Sequence, residues 1–297
     1  MLVRCQNLPR HAAGPQTKAL SVGAVFWPAE AIWQAVVPAW PGFTVEVLPE
    51  IDSTNTELMR RAKAGQFDPV LLVAERQTAG RGRMGRQWHS DTASTGAFPS
   101  LTFSLGLPLA PATWSGLSLA VGVSVAQSLH AGLGLKWPND IWLKDRKLGG
   151  ILIETGSFGD VRYVVMGVGI NIAPRDASGL STPPAWLNEV QPAMDAGGAL
   201  QQMVDPLVRA VQTFEAQGFA PFQASFNALD VLAGRAVVCS DGTTGLAQGV
   251  DASGALRVQT DAGLRKITSA EVSVRPVAQS SPASGRLAEN LPGGHPC

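Results

Sequence analysis

Cysteine, charge and long apolar runs are all scarce in this sequence, and each scarcity excludes something. Three cysteines, Cys5, Cys239 and Cys297, are odd in number and far apart. They build no disulfide framework and no zinc spacing, so a reducing cytoplasm is the expected setting. Charged residues make up 15% of the 297 positions, with Lys+Arg and Asp+Glu equal at 23 each. No global field draws in nucleic acid or anionic lipid, so any anion must be bound by a local arrangement. The histidines His11, His89, His130 and His295 are scattered, which predicts no transition metal held by a protein cluster. There is no Walker A sequence and no G-x-S-x-G. No segment approaches the ~18–20 apolar residues of a membrane span. Arg4 and Arg10 are followed by no uninterrupted apolar stretch of the kind a signal peptide needs, and the run at Ala24–Trp27 stops at Pro28.

What is present has a recognisable order. Residues 1–44 mix Pro, Ala, Gly and Trp, with one short helix expected over Pro28–Val37 and Pro28 in its first position. A strand containing Val45 and Val47 follows. Thr54 and Glu57 then fit a capping box for a helix carrying Leu58, Met59 and Ala62. Pro69–Ala74 is a continuous apolar strand that runs into the glycine–arginine segment, which has loop composition. Ser100–Leu107 reads as another strand. The three- and four-residue recurrence of Leu117, Ala120, Val121, Ser124, Val125 and Leu129 predicts a helix with one apolar face laid flat on a sheet.

Further along, Ile141–Leu143 and Leu148–Glu154 flank Lys144-Asp145-Arg146-Lys147 as a β-hairpin. Val161–Ile172 is an apolar strand whose Gly167 and Gly169 suit close approach by another group. Three antiparallel strands in succession favour a mixed, largely antiparallel α+β sheet over a doubly wound one. Leu200 to Phe214 defines a second amphipathic helix, with a shorter one at Phe222–Leu229. From Gly234 to Pro276, short Val-rich strands punctuated by Asp-Gly turns have the spacing of a small β-barrel. The expected division is an N-terminal extension over 1–44, a catalytic domain over 45–230, a β domain over 231–276 and a disordered Ser/Pro/Gly-rich tail over 277–297.

Between Arg76 and Arg86 stand four arginines and three glycines. Glycine exposes backbone N–H groups and arginine supplies planar donor forks, the two things a bound phosphate or acyl phosphate needs. Composition alone does not separate that reading from a solvated basic loop, and a nucleic-acid patch is a third reading with no aromatic run to support it. Lys136-Trp137-Pro138-Asn139-Asp140 gathers a cation, an aromatic ring and a carboxylate, yet is equally good turn chemistry with Trp137 in the core. Lys147 alone reads as a hairpin lysine facing water. Ser53, Thr54 and Asn55 alone read as helix caps.

Order and combination narrow these alternatives. The stretches Asp52-Ser-Thr-Asn-Thr56, Ala74-Glu-Arg-Gln-Thr-Ala-Gly-Arg-Gly-Arg-Met-Gly-Arg-Gln-Trp88, Lys136-Trp-Pro-Asn-Asp140, Lys147-Leu-Gly-Gly-Ile151 and Gly167-Val-Gly-Ile-Asn171 closely resemble the successive motifs of the bacterial biotin–protein ligases, over a span from Val45 to Pro276. The resemblance implies a class II synthetase-like catalytic fold followed by an SH3-like barrel. It also implies that biotin attacks the α-phosphate of ATP, with Mg2+ as the accompanying ion, to give biotinyl-5′-AMP. A lysine of the biotin carboxyl carrier protein of acetyl-CoA carboxylase then accepts the biotin.

By the same resemblance Ser53, Thr54, Asn55 and Gln77 bind the ureido ring, and Arg81, Gly82 and Arg83 line the ligand, with Arg83 retaining the anhydride. Lys147 bridges the biotin carboxylate and the α-phosphate. Lys136 and Asp140 stand beside the nucleotide and the incoming lysine, and Arg86, Trp88, Asn139, Asn171 and Arg275 belong to nucleotide binding. Two departures stand out: Met84 replaces an arginine found in many relatives, and the polar stretch Ser90–Pro99 has no assigned place. Residues 1–44 are not basic and show no helix-turn-helix pattern, so a monofunctional ligase is expected, without DNA or membrane partners and as a monomer or weak homodimer. A lipoate or octanoate ligase or transferase of the same fold, and a non-catalytic biotin-binding regulator, are the alternatives. The full glycine–arginine loop argues against the first. Arg83 and Lys147 together argue against the second, since sensing needs affinity but not transition-state charge neutralisation.

Overall fold

The computed structural model describes residues 26–90, 98–174, 182–268 and 274–277. The first 25 residues, most of the polar stretch after Trp88 and the C-terminal tail lie outside the described residues, and with them Cys5, Cys297, His11 and His295.

Seven strands form the larger sheet: β1 (Thr44–Ile51), β2 (Val70–Gln77), β3 (Ser100–Pro108), β4 (Gly134–Lys136), β5 (Asp140–Leu143), β6 (Arg146–Phe158) and β7 (Val161–Asn171). Their order is β1-β2-β3-β7-β6-β5-β4. Only β1 and β2 run parallel, joined through helix α2 (Thr54–Lys63), and every other neighbouring pair is antiparallel. The sheet is therefore mixed and largely antiparallel, as expected. Helix α1 (Ala29–Val36) precedes β1, α3 (Leu117–Leu129) links β3 to β4, and α4 (Ala196–Gln217) and α5 (Gln223–Leu229) follow β7. A second, antiparallel sheet orders β11 (Gly263–Ile267), β10 (Leu256–Thr260), β9 (Thr244–Val250), β8 (Ala236–Cys239) and β12 (Val274–Pro276) side by side.

The pleat assigns the two faces of the large sheet to different tasks. On one face Leu71, Val73, Leu101, Phe103, Leu105, Val164, Met166, Val168 and Ile170 join the main core under α3 and α4. On the other, Val70, Leu72, Tyr163 and Val165 meet Leu58 and Ala62 of α2 in a much smaller cluster. Helix α2 covers only part of that second face. Beyond its N-terminus the alternate positions are Thr102 and Ser104 on β3, Gly150 and Leu152 on β6, and Gly167 and Gly169 on β7. Small and polar residues there leave a floor instead of a core.

Several local expectations change. Pro28 stands at the N-cap of α1 and not at its first helical position. Ser53, one residue earlier than expected, is the N-cap of α2 and accepts from Thr56 N–H at 3.4 Å. Glu57 closes no capping box; its carboxylate is bound by Arg60 and Arg61 one turn on, where two guanidinium groups compete for it. β2 continues past Ala74 to Gln77 because it stays in parallel register with β1 as far as Ile51. Helix α3 is buried on nearly every side, since α4 and α5 pack on the surface turned away from the sheet. The hairpin turn is Lys144-Asp145 alone, both residues left-handed at φ 50° and 58° as in a type I′ turn. Arg146 and Lys147 therefore belong to β6.

The C-terminal sheet is anchored to the large one. Trp137, fully buried, donates from its indole N–H to Gly254 O at 3.1 Å. Ser115 Oγ donates to Ser253 O at 2.7 Å, and Asn227 accepts from Val250 N–H at 2.8 Å while donating back to its carbonyl. Val237, Ala247, Val250, Leu256 and Val258 join the same apolar core as the large sheet. Trp137→Phe should keep most of the packing but leave the buried Gly254 carbonyl without its donor, a loss of about 1–3 kcal/mol. Urea denaturation checks this, with Trp137→Ala expected to cost more, roughly 3–5 kcal/mol.

Candidate active site

Where α2 stops covering the sheet, a cleft opens to solvent. Its lining includes Ser53, Thr54, Asn55, Gln77, Arg81, Gly82, Arg83, Arg86, Trp88, Asn139, Asp140 and Lys147, twelve of the fifteen residues singled out from sequence. Lys136, Asn171 and Arg275 do not line it. Gln87, Thr102, Gly150, Ile151, Leu152, Gly167, Val168 and Gly169 complete the walls. The alternation Ser100, Thr102, Ser104, Gly106 against Leu101, Phe103, Leu105, Leu107 was the signal for Thr102 and its neighbour Ser104, because a wholly buried strand has no other need of polar positions on one face.

One end of the cleft is a hydrogen-bonded set of uncharged polar groups. Freed from capping, Thr54 and Asn55 are buried behind Ser53. Gln77 Oε1 accepts from Thr54 N–H at 2.7 Å and lies 3.1 Å from Thr54 Oγ1. Ser104 Oγ is 2.6 Å from both Thr54 Oγ1 and Asn55 Oδ1. Asn55 Nδ2 donates to Leu152 O at 3.3 Å and to Glu154 Oε2 at 2.9 Å, which fixes its amide orientation. The three oxygen contacts among Gln77, Thr54, Ser104 and Asn55 share only two hydroxyl hydrogens, so one of the three carries no hydrogen at any moment. Gln77 itself is held by Ser90, whose hydroxyl accepts from Gln77 N–H at 2.7 Å.

Gly167 and Gly169 do what their positions in an apolar strand suggested. A Cβ at Gly167 would run into Asn55 Oδ1, and one at Gly169 would lie 2.5 Å from the Trp88 indole. Each glycine admits a side chain from another element onto the strand backbone.

The glycine–arginine segment forms a small folded hairpin. Arg81 bridges Gln87, Gly82 N–H donates to Arg86 O at 2.7 Å, and Trp88 N–H donates to Gly80 O at 2.9 Å. Its tip is a 3-10 turn in which Met84 is left-handed at φ 56° and 58% exposed. The departure at this position therefore points outward. Arg83 donates to Asn139 Oδ1 at 3.4 Å, and Asn139 Nδ2 donates to Ile151 O at 2.7 Å. Arg81 pairs with Glu154 at 2.9 Å.

The opposite end of the cleft is cationic. Lys147 Nζ lies 2.7 Å from Asp140 Oδ1, and Lys136 Nζ 3.9 Å from Oδ2. A register shift between Ile141 and Trp142 sets Lys147 in the cleft: Gly149 pairs with Ile141 while Lys147 pairs with Trp142, so Leu148 is the additional residue of a bulge. Unbroken alternation from Gly150 would have turned Lys147 to the core face; the bulge re-aims it. The lysine is thus not the water-facing hairpin residue its local sequence suggests. Asn171 is buried and acts on Lys147, donating from Nδ2 to Lys147 O at 3.3 Å and to Ala185 O at 3.2 Å.

Lys136 sits behind this pair, 5.4 Å from the Trp142 ring centre. Burial lowers its pKa, Asp140 opposes that, and the charges of Lys147, Arg86 and Arg275 lower it further. Burial likewise lowers the pKa of Arg83, against Asp140 and together with Arg86. Arg275, on β12, is therefore near enough to act on the cluster without lining the cleft. Among the described residues Asp140 is the one carboxylate lining the cleft; Lys147, Lys136 and Arg83 act on it, and Arg86 and Arg275 are near enough to act on Lys136. In a chain of zero net charge that excess is strictly local, and it suits a polyanion. Among the described residues no three His, Cys, Asp or Glu side chains gather as a metal site.

Known proteins resemble this chain in sequence and fold. Residues 47–171 match the biotin/lipoate A/B protein ligase family, and residues 237–275 match the biotin protein ligase C terminal domain. The chain is 37% identical to the bifunctional ligase/repressor BirA of Escherichia coli, over 79% of this chain and 75% of that protein. It is 31% identical to the biotin–[acetyl-CoA-carboxylase] ligase of Paracoccus denitrificans, over 76% of this chain and 98% of that one. Among solved structures, the biotin protein ligase of Aquifex aeolicus in complex with biotin and ATP superimposes with a TM-score of 0.67 at 27% identity, covering 78% of this chain and 99% of the other. With both modules matched in order and the relatives covered over most of their length, the chain belongs to the biotin protein ligase family.

Proposed function

We propose that this cleft condenses biotin with ATP and passes the biotinyl group to a lysine of a biotin carboxyl carrier protein. One observation carries the reading. A single cleft joins an uncharged hydrogen-bonding end to a cationic end built around Lys147 and Asp140. Biotin has matching ends: a ureido ring with N–H donors and a carbonyl acceptor, and a carboxylate.

In the proposed first step a carboxylate oxygen of biotin forms a bond to the α-phosphorus of ATP and the bond to pyrophosphate breaks. Negative charge concentrates between carboxylate and phosphate at that moment. Lys147 is placed to neutralise it, with Arg83 and Arg86 on the phosphates and Lys136 and Arg275 contributing field from behind. Magnesium suits this set as an ion carried on the triphosphate, where it would add charge neutralisation. Asn171 positions Lys147 through its backbone. In the second step the amine of the acceptor lysine attacks the anhydride carbonyl carbon, AMP leaves, and Asp140 orients the incoming nitrogen. Trp88, seated on Gly169, and Asn139 border the nucleotide side. Charge balance favours no DNA partner, sparse and scattered cysteines suit the cytoplasm, and a monomer or weak homodimer is the proposed state. Among the described residues no helix is long and apolar enough to cross a membrane.

Biotin should drive exchange of labelled pyrophosphate into ATP and then label a carrier domain. Exchange driven by lipoate and not by biotin would overturn the substrate assignment, and exchange with neither acid would overturn the reaction. Lys147→Ala should lower the exchange rate by about 100-fold or more with little change in thermal stability. Gly167→Ala should displace Asn55 and raise the KM for biotin by about tenfold, in line with the usual cost of forcing a methyl into a packed site, with a smaller change in the KM for ATP.

A further inference from the structure

Glu154 lies outside the motifs that carry the resemblance and does not line the cleft, yet its carboxylate joins two parts that do. It stands on β6, on the same face as Gly150 and Leu152, with its side chain 22% exposed. One oxygen accepts from Asn55 Nδ2 at 2.9 Å, and Asn55 is a buried member of the uncharged end. The other oxygen pairs with Arg81 at 2.9 Å, where the glycine–arginine hairpin leaves the sheet. Asn55 Nδ2 has only Leu152 O as its other acceptor, at 3.3 Å.

We propose that Glu154 is a positioning residue that clamps the glycine–arginine loop to the ureido end of the cleft, so that the loop's hold on the intermediate depends on a charge that touches neither substrate. The two oxygens fill complementary offices. Oε2 fixes the Asn55 amide so that Oδ1 faces Ser104. Oε1 holds Arg81, and through its bridge to Gln87 the base of the hairpin. The second anchor of the loop, Arg83 on Asn139, returns to the same strand, because Asn139 donates to Ile151 O. Strand β6 therefore supports the loop at two points separated by three residues, one neutral and one charged. Of the two, the charged one is sensitive to salt, since Arg81 is half exposed.

The proposal rests on the ligase reading, and its test separates the two. Pyrophosphate exchange driven by biotin in the wild type establishes the reaction; release of preformed biotinyl-5′-AMP, followed by rapid dilution, tests the clamp. Glu154→Gln keeps the shape and one acceptor for Asn55 while removing the charge that holds Arg81. Release should quicken by about three- to fivefold, the range of a partly exposed ion pair. The KM for biotin should rise, and the maximal exchange rate should change less than either. Glu154→Asp should restore part of the retention. Arg81→Gln should be at least as severe as Glu154→Gln, and the double variant should be no worse than Arg81→Gln alone, because a broken pair cannot be broken twice. Release from the wild type should quicken more steeply with added salt than release from Glu154→Gln, which has lost the Arg81 pair. Unchanged release in both single variants, or additive effects in the double, would overturn the clamp. Loss of exchange in the wild type would instead overturn the ligase reading. If Glu154→Gln fails to fold, Glu154→Asp and Arg81→Gln still decide the matter.

Discussion

Everything at the candidate site depends on the period-two pleat of β3, β6 and β7. A strand cannot send successive side chains to the same side, so a sheet with a large core on one face has a second face to fill independently. Here the core face takes Leu, Val, Ile, Met and Phe. The second face is closed by α2 over part of its area and carries Thr, Ser and Gly over the rest. The cleft is that remainder. It required no separate scaffold, only small or polar residues at alternate positions beyond the reach of one short helix.

Two irregularities correct what strict alternation would give. At Leu148 a bulge inserts one residue, and Lys147 moves from the core side to the cleft side, against Asp140. At Ser53 the helix begins one residue earlier than the capping pattern suggests, which releases Thr54 and Asn55 from capping and places them among Gln77 and Ser104. In both cases a shift of a single residue decides whether a polar group serves the backbone or a ligand.

These shifts also mark the boundary of what the sequence makes legible. Sheet type, the two long helices and the β module after Gly234 are set by periodicity and turn residues over many positions, and they survive local errors. The order of the short motifs was enough to bring together twelve of the site residues. Local sequence could not locate the register shift at Leu148, because Arg-Lys-Leu-Gly-Gly pairs as readily without a bulge as with one. Nor could it find Glu154, an ordinary strand residue whose partners are 73 and 99 positions away in the chain. The alternating Ser/Thr positions of β3 were visible and carried a signal, but only a buried strand makes polar residues there unusual. Lys136 illustrates the converse: its motif is conspicuous, yet its side chain acts from behind the wall.

Strand β6 has a further consequence through its length. Lys147 stands near one end of the cleft and Glu154 supports the other, seven residue steps apart on a single strand. At ~3.3 Å per residue that segment is a ruler of roughly 20 Å, shortened a little by the bulge. A side-chain substitution can soften a mark on this ruler but cannot move it. Gaining or losing one residue would slide one end past the other and turn every intervening side chain over. The size of molecule that can touch both ends is thus held in a residue count, a property of the backbone that no single side chain encodes.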